Sequence, residues 1–144
     1  MNLILGDGLL GSAVIGSSGW TFVSRKENGF DINKPNQWRS SIPGGTTTII
    51  NLVANTDTYS NDVFAMFNTN YRGVVDLVDY CNVNKIKLVH FSTDYVYENS
   101  RTNAKETNKA KPVTSYAVSK LLADEYIMKH CNSYLILRGA QKID

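Results

Sequence analysis

Two residues of this sequence form a pair that could move a proton: Tyr116 and Lys120, which lie four positions apart. The surrounding segment, residues 114–124, is predicted to open a helix, so both side chains project from one face, one turn apart. A neighbouring ammonium favours the phenolate and lowers the pKa of a tyrosine from about 10 towards working pH. Tyr116 is therefore a candidate proton donor or acceptor in the interconversion of a hydroxyl and a carbonyl. Helices also carry such a pair by chance, so the prediction depends on the rest of the chain.

A glycine pattern follows the first predicted strand, Asn2–Leu5, without a gap. Residues 6–11 read GDGLLG, which is G-x-G-x-x-G between a strand and a helix. Such glycines allow a tight turn, a close backbone approach to a pyrophosphate, and close packing of helix on strand. The helix N-terminus then presents free N–H groups to the phosphates. The alternative is a glycine-rich turn without a ligand. The residues predicted to bind a dinucleotide here are Gly6, Gly8, Leu9, Leu10 and Gly11.

The end of the second predicted strand, residues 20–24, bears on the choice of dinucleotide. NAD-specific sites usually place an Asp or Glu there, which holds the ribose 2′-hydroxyl. Here Ser24 is followed by Arg25 and Lys26, and the first carboxylate is that of Glu27. Cations suit a 2′-phosphate, so the sequence favours NADP(H) over NAD(H). The alternative is that Arg25 and Lys26 merely solvate a turn.

Two further segments are predicted to line the same site. Asp31 and Ile32 are expected to close a short third strand before a brief helix at 33–41, and an acid at this place can face the adenine. Residues 46–54, TTTIINLVA, are β-branched and nearly continuously apolar, as a parallel strand buried on both faces requires. Ligands of open α/β sheets bind at the carboxyl ends of the strands. This strand places Val53, Ala54 and Asn55 there.

Residues 61–81 carry the clearest helical period in the chain. Asn70 interrupts the apolar face of this helix, and because asparagine is a poor helix former, it is expected to have an ordered hydrogen-bonding role. The residues predicted to share the apolar face are Phe64, Phe67, Tyr71, Val74, Val75 and Val78.

The second half of the chain repeats the alternation of strand and helix. Residues 85–91 are predicted to form a strand that places Thr93 at its carboxyl end, on the same rim as the glycine turn. A polar loop at 98–113 is long enough to be a lid or substrate loop. The helix that begins near residue 114 runs towards Cys131, and residues 134–137 form a final strand.

Composition describes an ordinary globular domain. The chain has 144 residues, 42% hydrophobic and 19% charged, with a net charge of +2, which predicts one domain over 1–144 and gives no case for nucleic acid or an anionic membrane surface. No signal peptide and no membrane-length apolar run is apparent, so a cytoplasmic location is expected. Cys81 and Cys131 lack metal-ligand or redox spacing and are interpreted as buried free thiols; His90 and His130 are interpreted as structural.

The alternation of strands and helices predicts a doubly wound parallel sheet of Rossmann type. The motifs resemble those of the extended short-chain dehydrogenase/reductase family, and most closely its dTDP-4-dehydrorhamnose reductase branch. The segments that carry the resemblance are GDGLLG at 6–11, Asp31-Ile32, 51–56, NYRG at 70–73, FSTDYVY at 91–97, Glu106-Thr107, Pro112, 116–125 and 135–138.

This resemblance implies roles for four residues. Thr93 would hydrogen-bond the substrate carbonyl or hydroxyl, Tyr116 would pass the proton, and Lys120 would hold the nicotinamide ribose. Asn70 corresponds to the helix asparagine of the family, with a supporting role. The implied activity is NADP-dependent reduction of a nucleotide-linked ketosugar, such as dTDP-4-dehydrorhamnose. The alternatives are a sugar-nucleotide epimerase or dehydratase and a non-catalytic dinucleotide-binding module that regulates a partner.

The resemblance stops near Arg138. Members of the family continue into a smaller lobe that binds the nucleotide-sugar, and the sequence is expected to lack that lobe. Gly139-Ala140 also stands where the branch usually has Thr-Ser-Trp. A truncated gene product and a short form completed by a partner protein are both compatible with this departure. By the same resemblance, the two long helices predicted at 61–81 and 114–131 are expected to form a homodimer interface.

Overall fold

Five short segments of the chain pair into one sheet in the computed structural model, which describes residues 1–55, 62–93 and 114–139. Every pairing is parallel, and the strand order is β2-β1-β3-β4-β5. The strands are β1 (Asn2–Leu5), β2 (Thr21–Val23), β3 (Thr48–Asn51), β4 (Lys87–Thr93) and β5 (Tyr134–Gly139).

The strand order creates a point at which the direction of winding reverses. The chain goes from β1 to its neighbour β2 and then crosses back to β3, which pairs with the other side of β1. The connections after the carboxyl ends of β1 and β3 therefore diverge and leave a crevice between them, where open α/β sheets bind ligands. The predicted Rossmann-type parallel sheet is confirmed.

Six α-helices connect the described strands. No helix in the described ranges has the length and apolar composition of a membrane span. Side chains cap several N-termini: Ser24, Asp62 and Thr114 each accept a hydrogen bond from a backbone N–H three residues on. The helices are α1 (Leu9–Ser18), α2 (Arg25–Asn28), α3 (Pro35–Trp38), α4 (Val63–Phe67), α5 (Gly73–Asn84) and α6 (Ser115–His130), with a π-helical turn (Asn68–Arg72) between α4 and α5.

The core lies between the sheet and the helices α5 and α6. Leu3, Ile49 and Leu88 from three adjacent strands are fully buried against Leu77 and Ile127 of the two helices. Cys81 and Cys131 are buried free thiols, as expected. Burial raises the pKa of Cys81 to about 12.

The edge strand β5 is less well covered than the other strands. Leu135 and Leu137 project to one side of the strand and remain 45% and 39% exposed, and Tyr134 is 40% exposed. In the described part of the chain, β5 pairs only with β4.

The expected strand at Asp31 and Ile32 is wrong. The carboxylate of Asp31 accepts the N–H of Asn33 at 3.0 Å, and its carbonyl oxygen accepts the N–H of Lys34 at 2.9 Å. These bonds close a turn, so the backbone groups that a sheet would pair are satisfied locally. Two other expected strands differ from the prediction: β3 is shorter and spans Thr48–Asn51, whereas β4 keeps the expected length but is shifted to Lys87–Thr93, because Lys85 ends α5 with a left-handed φ of 56°.

The predicted apolar face of the helix at 61–81 is correct for Val74 and Val78, which are buried, and wrong for Phe64, which is 79% exposed. Asn70 is buried in this face, as expected, and Met66 is buried in the place expected for Phe64. Met66 was missed because the π-helical turn Asn68–Arg72 breaks the regular helical spacing between α4 and α5. The predicted loop at 98–113 lies outside the described residues.

We expect Gly11→Ala and Gly16→Ala to have opposite effects, although both change a glycine of α1. A Cβ at Gly11 would overlap the carbonyl oxygen of Gly6 and lie 2.9 Å from its carbon, whereas a Cβ at Gly16 would meet nothing within 4 Å. Overpacking should therefore lower the free energy of unfolding by about 1–3 kcal/mol for G11A. Helix propensity should raise it by about 0.5–1 kcal/mol for G16A. Urea unfolding of the two variants measures this, and equal effects would contradict the close packing at Gly11.

Candidate functional site

A crevice of about 310 Å³ opens where the sheet reverses its winding. Its walls come from the turn after β1, the end of β2, the turn at Asp31 and the segment after β3. The size and mixed polarity match those of small-molecule sites. The lining residues are Gly6, Asp7, Ser24, Arg25, Phe30, Asp31, Ile32, Asn33, Leu52, Val53, Ala54, Asn55 and Thr69.

The glycine turn forms the floor of this crevice. Gly6 has a left-handed φ of 98°, and its N–H donates to the carbonyl of Val23 at 2.9 Å. A Cβ there would lie 3.2 Å from Cγ2 of Val53, so the turn packs tightly on the wall opposite. Gly8 precedes α1 and faces open space, since a Cβ there would meet nothing within 4 Å. The turn therefore leaves room for a bulky group beside the N-terminus of α1.

Leu9 and Leu10 occupy the first turn of α1 and are 70% and 48% exposed. They do not form a buried face of this helix, because Gly11 is the buried residue of α1. Neither leucine lines the crevice. Any contact that they make with a ligand would come from their backbone N–H groups, which lie at the helix N-terminus.

The two basic residues after β2 lie in the first turn of α2. Ser24 is buried, and its hydroxyl accepts the N–H of Glu27 at 3.1 Å, which starts the helix. Both Arg25 and Lys26 are exposed. Arg25 lines the crevice, whereas Lys26 is not among its lining residues.

The turn at Asp31 forms a side wall. Ile32 is buried against α5 at Gly73, where a Cβ would lie 2.9 Å from Cγ1 of Ile32. The side-chain amide of Asn33 donates to the hydroxyl of Thr69 at 3.1 Å and ties this wall to the π-helical turn. Gly73 within the predicted helix at 61–81 was a signal of this contact, because a glycine in the middle of a helix often marks a close approach.

Asn70 joins the segment after β3 to helix α6. Its side chain accepts the N–H of Asn55 at 2.7 Å and donates to the carbonyl of Asn55 at 3.0 Å. The same amide nitrogen donates to the hydroxyl of Ser119 at 3.1 Å, and that hydroxyl donates to the carbonyl of Tyr116 at 2.7 Å. Asn70 is 1% exposed and lies in the π-helical turn, a distortion that occurs frequently at functional sites.

The remaining three candidate residues are buried at the carboxyl edge of the sheet. Thr93 ends β4, and Tyr116 and Lys120 lie one turn apart on α6, with 2%, 5% and 3% exposure. The ammonium of Lys120 donates to the carbonyl of Phe91 at 3.0 Å. None of the three residues is among those that line the crevice. Asn70 therefore links Asn55 of the crevice wall to Ser119 of α6, while Tyr116, Lys120 and Thr93 lie outside the crevice lining.

Burial lowers the pKa of Lys120 to about 8, and the nearby Asp124 carboxylate acts in the opposite direction. Desolvation penalises the charged form of the amine, whereas a negative charge favours it. Lys120 is therefore poised to lose its proton at a pH at which an exposed lysine stays charged.

A group of buried polar side chains behind Lys120 was not predicted as a site. Asp124 is fully buried; one of its oxygens, Oδ2, lies 2.6 Å from the hydroxyl of Ser92 and 3.0 Å from Nε of Arg138. Its other oxygen, Oδ1, lies 3.7 Å from Nε2 of His90. The available signal was a carboxylate four residues after Lys120, on the same face of the helix.

Several solved structures share this fold. The dTDP-4-dehydrorhamnose reductase from Bacillus anthracis, solved in complex with NADP, matches with a TM-score of 0.80 and 22% identity, over 95% of this chain and 52% of that chain. A short-chain dehydrogenase/reductase superfamily protein from Agrobacterium tumefaciens, with bound NAD, matches with a TM-score of 0.80 and 24% identity, over 96% and 48%. RMD from Pseudomonas aeruginosa, complexed with NADPH, matches with a TM-score of 0.78 and 17% identity, over 96% and 54%.

The chain therefore spans about half the length of these neighbours. At these identities the structural matches show the common fold. The family is shown by a second comparison, in which the model of the RmlD substrate binding domain matches residues 2–141. The resemblance to the dTDP-4-dehydrorhamnose reductases is confirmed, and the chain belongs to the RmlD substrate binding domain family.

Proposed function

We propose that this chain binds NADP(H) in the crevice and contributes the proton-transfer residues of a nucleotide-sugar reductase. The observation that carries the proposal is the glycine turn, in which Gly6 packs on Val53 and Gly8 faces open space beside a helix N-terminus. Backbone N–H groups at such a terminus bind phosphate. NADP or NADPH is bound to two of the structural neighbours, and NAD is bound to three others.

The preference for NADP(H) rests on the end of β2. Arg25 lines the crevice there, and Ser24 occupies the position at which an NAD site would have a carboxylate. Ser24 uses its hydroxyl to cap α2, so a cation rather than an acid faces the crevice at this point. Asp31 and Ile32 form the neighbouring wall, where we place the adenine.

The bound nicotinamide would supply a hydride to a sugar carbonyl carbon. Tyr116 would give its phenolic proton to the carbonyl oxygen, and Thr93 would hold that oxygen by a hydrogen bond. Lys120 would bind the nicotinamide ribose and favour the phenolate that Tyr116 becomes. Asn70 fixes the backbone of Asn55 relative to α6, so it would hold the cofactor wall and the proton donor in one arrangement.

A second candidate function is that of a non-catalytic dinucleotide-binding module with a protein partner. It is favoured by the length of the match, because the chain spans about half of each structural neighbour. A partner would then supply the contacts to the nucleotide-sugar.

The cofactor proposal predicts tighter binding of NADPH than of NADH, with Arg25 responsible for the difference. Removing a cation from a 2′-phosphate should weaken NADPH binding about tenfold in Arg25→Ala, which corresponds to about 1.4 kcal/mol. The affinity for NADH should change little. Lys129→Ala, which removes an exposed cation at the far end of α6, is the matched control. Calorimetric titration measures each affinity, and equal binding of the two cofactors to the unchanged chain would overturn the preference.

The reductase proposal predicts oxidation of NADPH in the presence of dTDP-4-dehydrorhamnose. Tyr116→Phe should slow this turnover by about 10²-fold or more, since general acid catalysis contributes that much, while the affinity for NADPH should stay nearly unchanged. The fall in absorbance at 340 nm reports the reaction. Binding of NADPH without any turnover by the unchanged chain would favour the non-catalytic module.

We also propose a homodimer through two helical segments: α4 with α5, and α6. Phe64 of α4 is 79% exposed and Leu122 of α6 is 37% exposed, so both present apolar surface. Sedimentation at micromolar concentration should show a dimer, and Phe64→Glu should shift it to monomer because a charge would be buried in the interface. A monomer for the unchanged chain would exclude this arrangement.

A further inference from the structure

The buried polar group behind Lys120 forms a continuous series from the crevice wall to helix α6. The series begins at Val53, whose N–H donates to the side-chain carbonyl of Asn51 at 3.1 Å. This bond orients the Asn51 amide, so its nitrogen faces Nδ1 of His90 at 3.2 Å. The amide nitrogen is a donor, and Nδ1 of His90 must therefore be the acceptor.

The orientation of Asn51 also determines the tautomer of His90. A neutral imidazole with an accepting Nδ1 carries its proton on Nε2. Nε2 lies 3.7 Å from Oδ1 of Asp124, beyond hydrogen-bond distance, and within the described ranges neither atom has a hydrogen-bond partner. Burial and the charge of Lys120 lower the pKa of His90 well below its usual value, which is consistent with a neutral ring.

The groups around Asp124 favour an ionised carboxylate. Nε of Arg138 donates to Oδ2, the hydroxyl of Ser92 lies against the same oxygen, and the Nε2–H of His90 faces Oδ1. A proton on Oδ1 would face the imidazole N–H, and one on Oδ2 would face Arg138. Desolvation raises the pKa of Asp124, while Ser92 and Arg138 act against that rise.

We propose that Asp124 is a positioning residue for Lys120: held ionised by Ser92 and Arg138, its carboxylate, one helical turn from Lys120, keeps the buried ammonium charged where it donates to the Phe91 carbonyl. This inference rests on the proposed function only for the purpose of that charge, which is to contact the cofactor and to favour the Tyr116 phenolate. The described titratable or charged groups around Lys120 are Tyr116 and Asp124 on its own helix and His90 on β4, with Arg138 of β5 beyond Asp124. Among these, Asp124 supplies the negative charge.

The test is the titration of Lys120 in the complete 144-residue chain without cofactor. Carbon-13 at the lysine Cε reports the charge by NMR, and Lys120→Arg identifies the resonance by its loss. The unchanged chain should titrate near pH 8. Asp124→Asn should lower the midpoint by about one pH unit, because it removes the carboxylate whose charge raises the pKa of Lys120. At pH 8 the charged fraction would then fall from about one half to about one tenth.

Glu125→Gln is the matched control, because it removes the same charge from the neighbouring, exposed position of α6. Its midpoint should equal that of the unchanged chain. An unchanged midpoint in D124N, or an equal shift in E125Q, would overturn the proposal. If D124N fails to fold, Ser92→Ala decides: the loss of one donor to Asp124 should shift the Lys120 midpoint downwards by less than one unit, and no shift would count against the proposal.

A second titration separates this inference from the proposed function. If the cofactor contacts a charged Lys120, the loss of NADPH affinity with rising pH should begin at lower pH in D124N than in E125Q. Failure of the unchanged chain to bind NADPH would overturn the proposed function and leave the NMR result intact. A normal NADPH affinity with an identical pH profile in both variants would show that Asp124 does not act through Lys120.

Discussion

Helix α1 rests on the carboxyl end of β1 because residue 11 has no side chain. A Cβ at Gly11 would overlap the carbonyl oxygen of Gly6, so the turn and the helix can meet only as two bare backbones. The left-handed φ of Gly6 then directs the chain across the carboxyl end of β1, where Gly6 packs against Val53 in the segment after β3. Since β1 lies between β2 and β3, this contact joins the turn after β1 to the segment after β3, and both line the crevice.

Patterns that depend on neighbouring residues were sufficient to predict the sheet, the glycine turn and helix α6. Alternation of apolar and polar segments locates the strands, and a glycine pattern directly after a strand locates the turn. The turn at Asp31 was mistaken for a strand because an Asx turn satisfies the backbone by itself, and its sequence does not distinguish the two. Phe64 was predicted to be buried because its position fits the helical spacing of the apolar residues. It is exposed because burial depends on how the helix packs in three dimensions, which the spacing does not show.

The candidate site was predicted by residue type, and its connections were not. The sequence was sufficient to name the candidate residues Tyr116, Lys120, Thr93 and Asn70. The pair of hydrogen bonds from the Asn70 side chain to the Asn55 backbone could not be predicted, because it depends on the meeting of two segments that are distant in sequence. Asp124 was read as part of a helical motif. Its importance becomes apparent only when Ser92 and Arg138 from two adjacent strands converge on one oxygen.

Helix α6 is attached to the rest of the fold at two points, which explains how a helix with buried polar residues remains stable. Ser119 binds Asn70 of the π-helical turn, and Asp124, five residues later, binds Ser92 and Arg138 of the sheet. Buried polar groups are costly when unpaired, and here the pairs also limit rotation of the helix. Helix α6 therefore holds Tyr116 and Lys120 in a fixed position relative to each other.

The apolar edge strand β5 affects how the chain associates with other protein chains. An edge strand offers unpaired backbone groups to any other extended chain. On β5 these groups accompany Leu135, Leu137 and Tyr134, all more than a third exposed. Charges and prolines usually discourage such pairing, and Arg138 is the one charged residue of this strand. High protein concentration, rather than high temperature alone, is thus expected to limit how long the chain stays in solution, because edge strands of separate chains can pair.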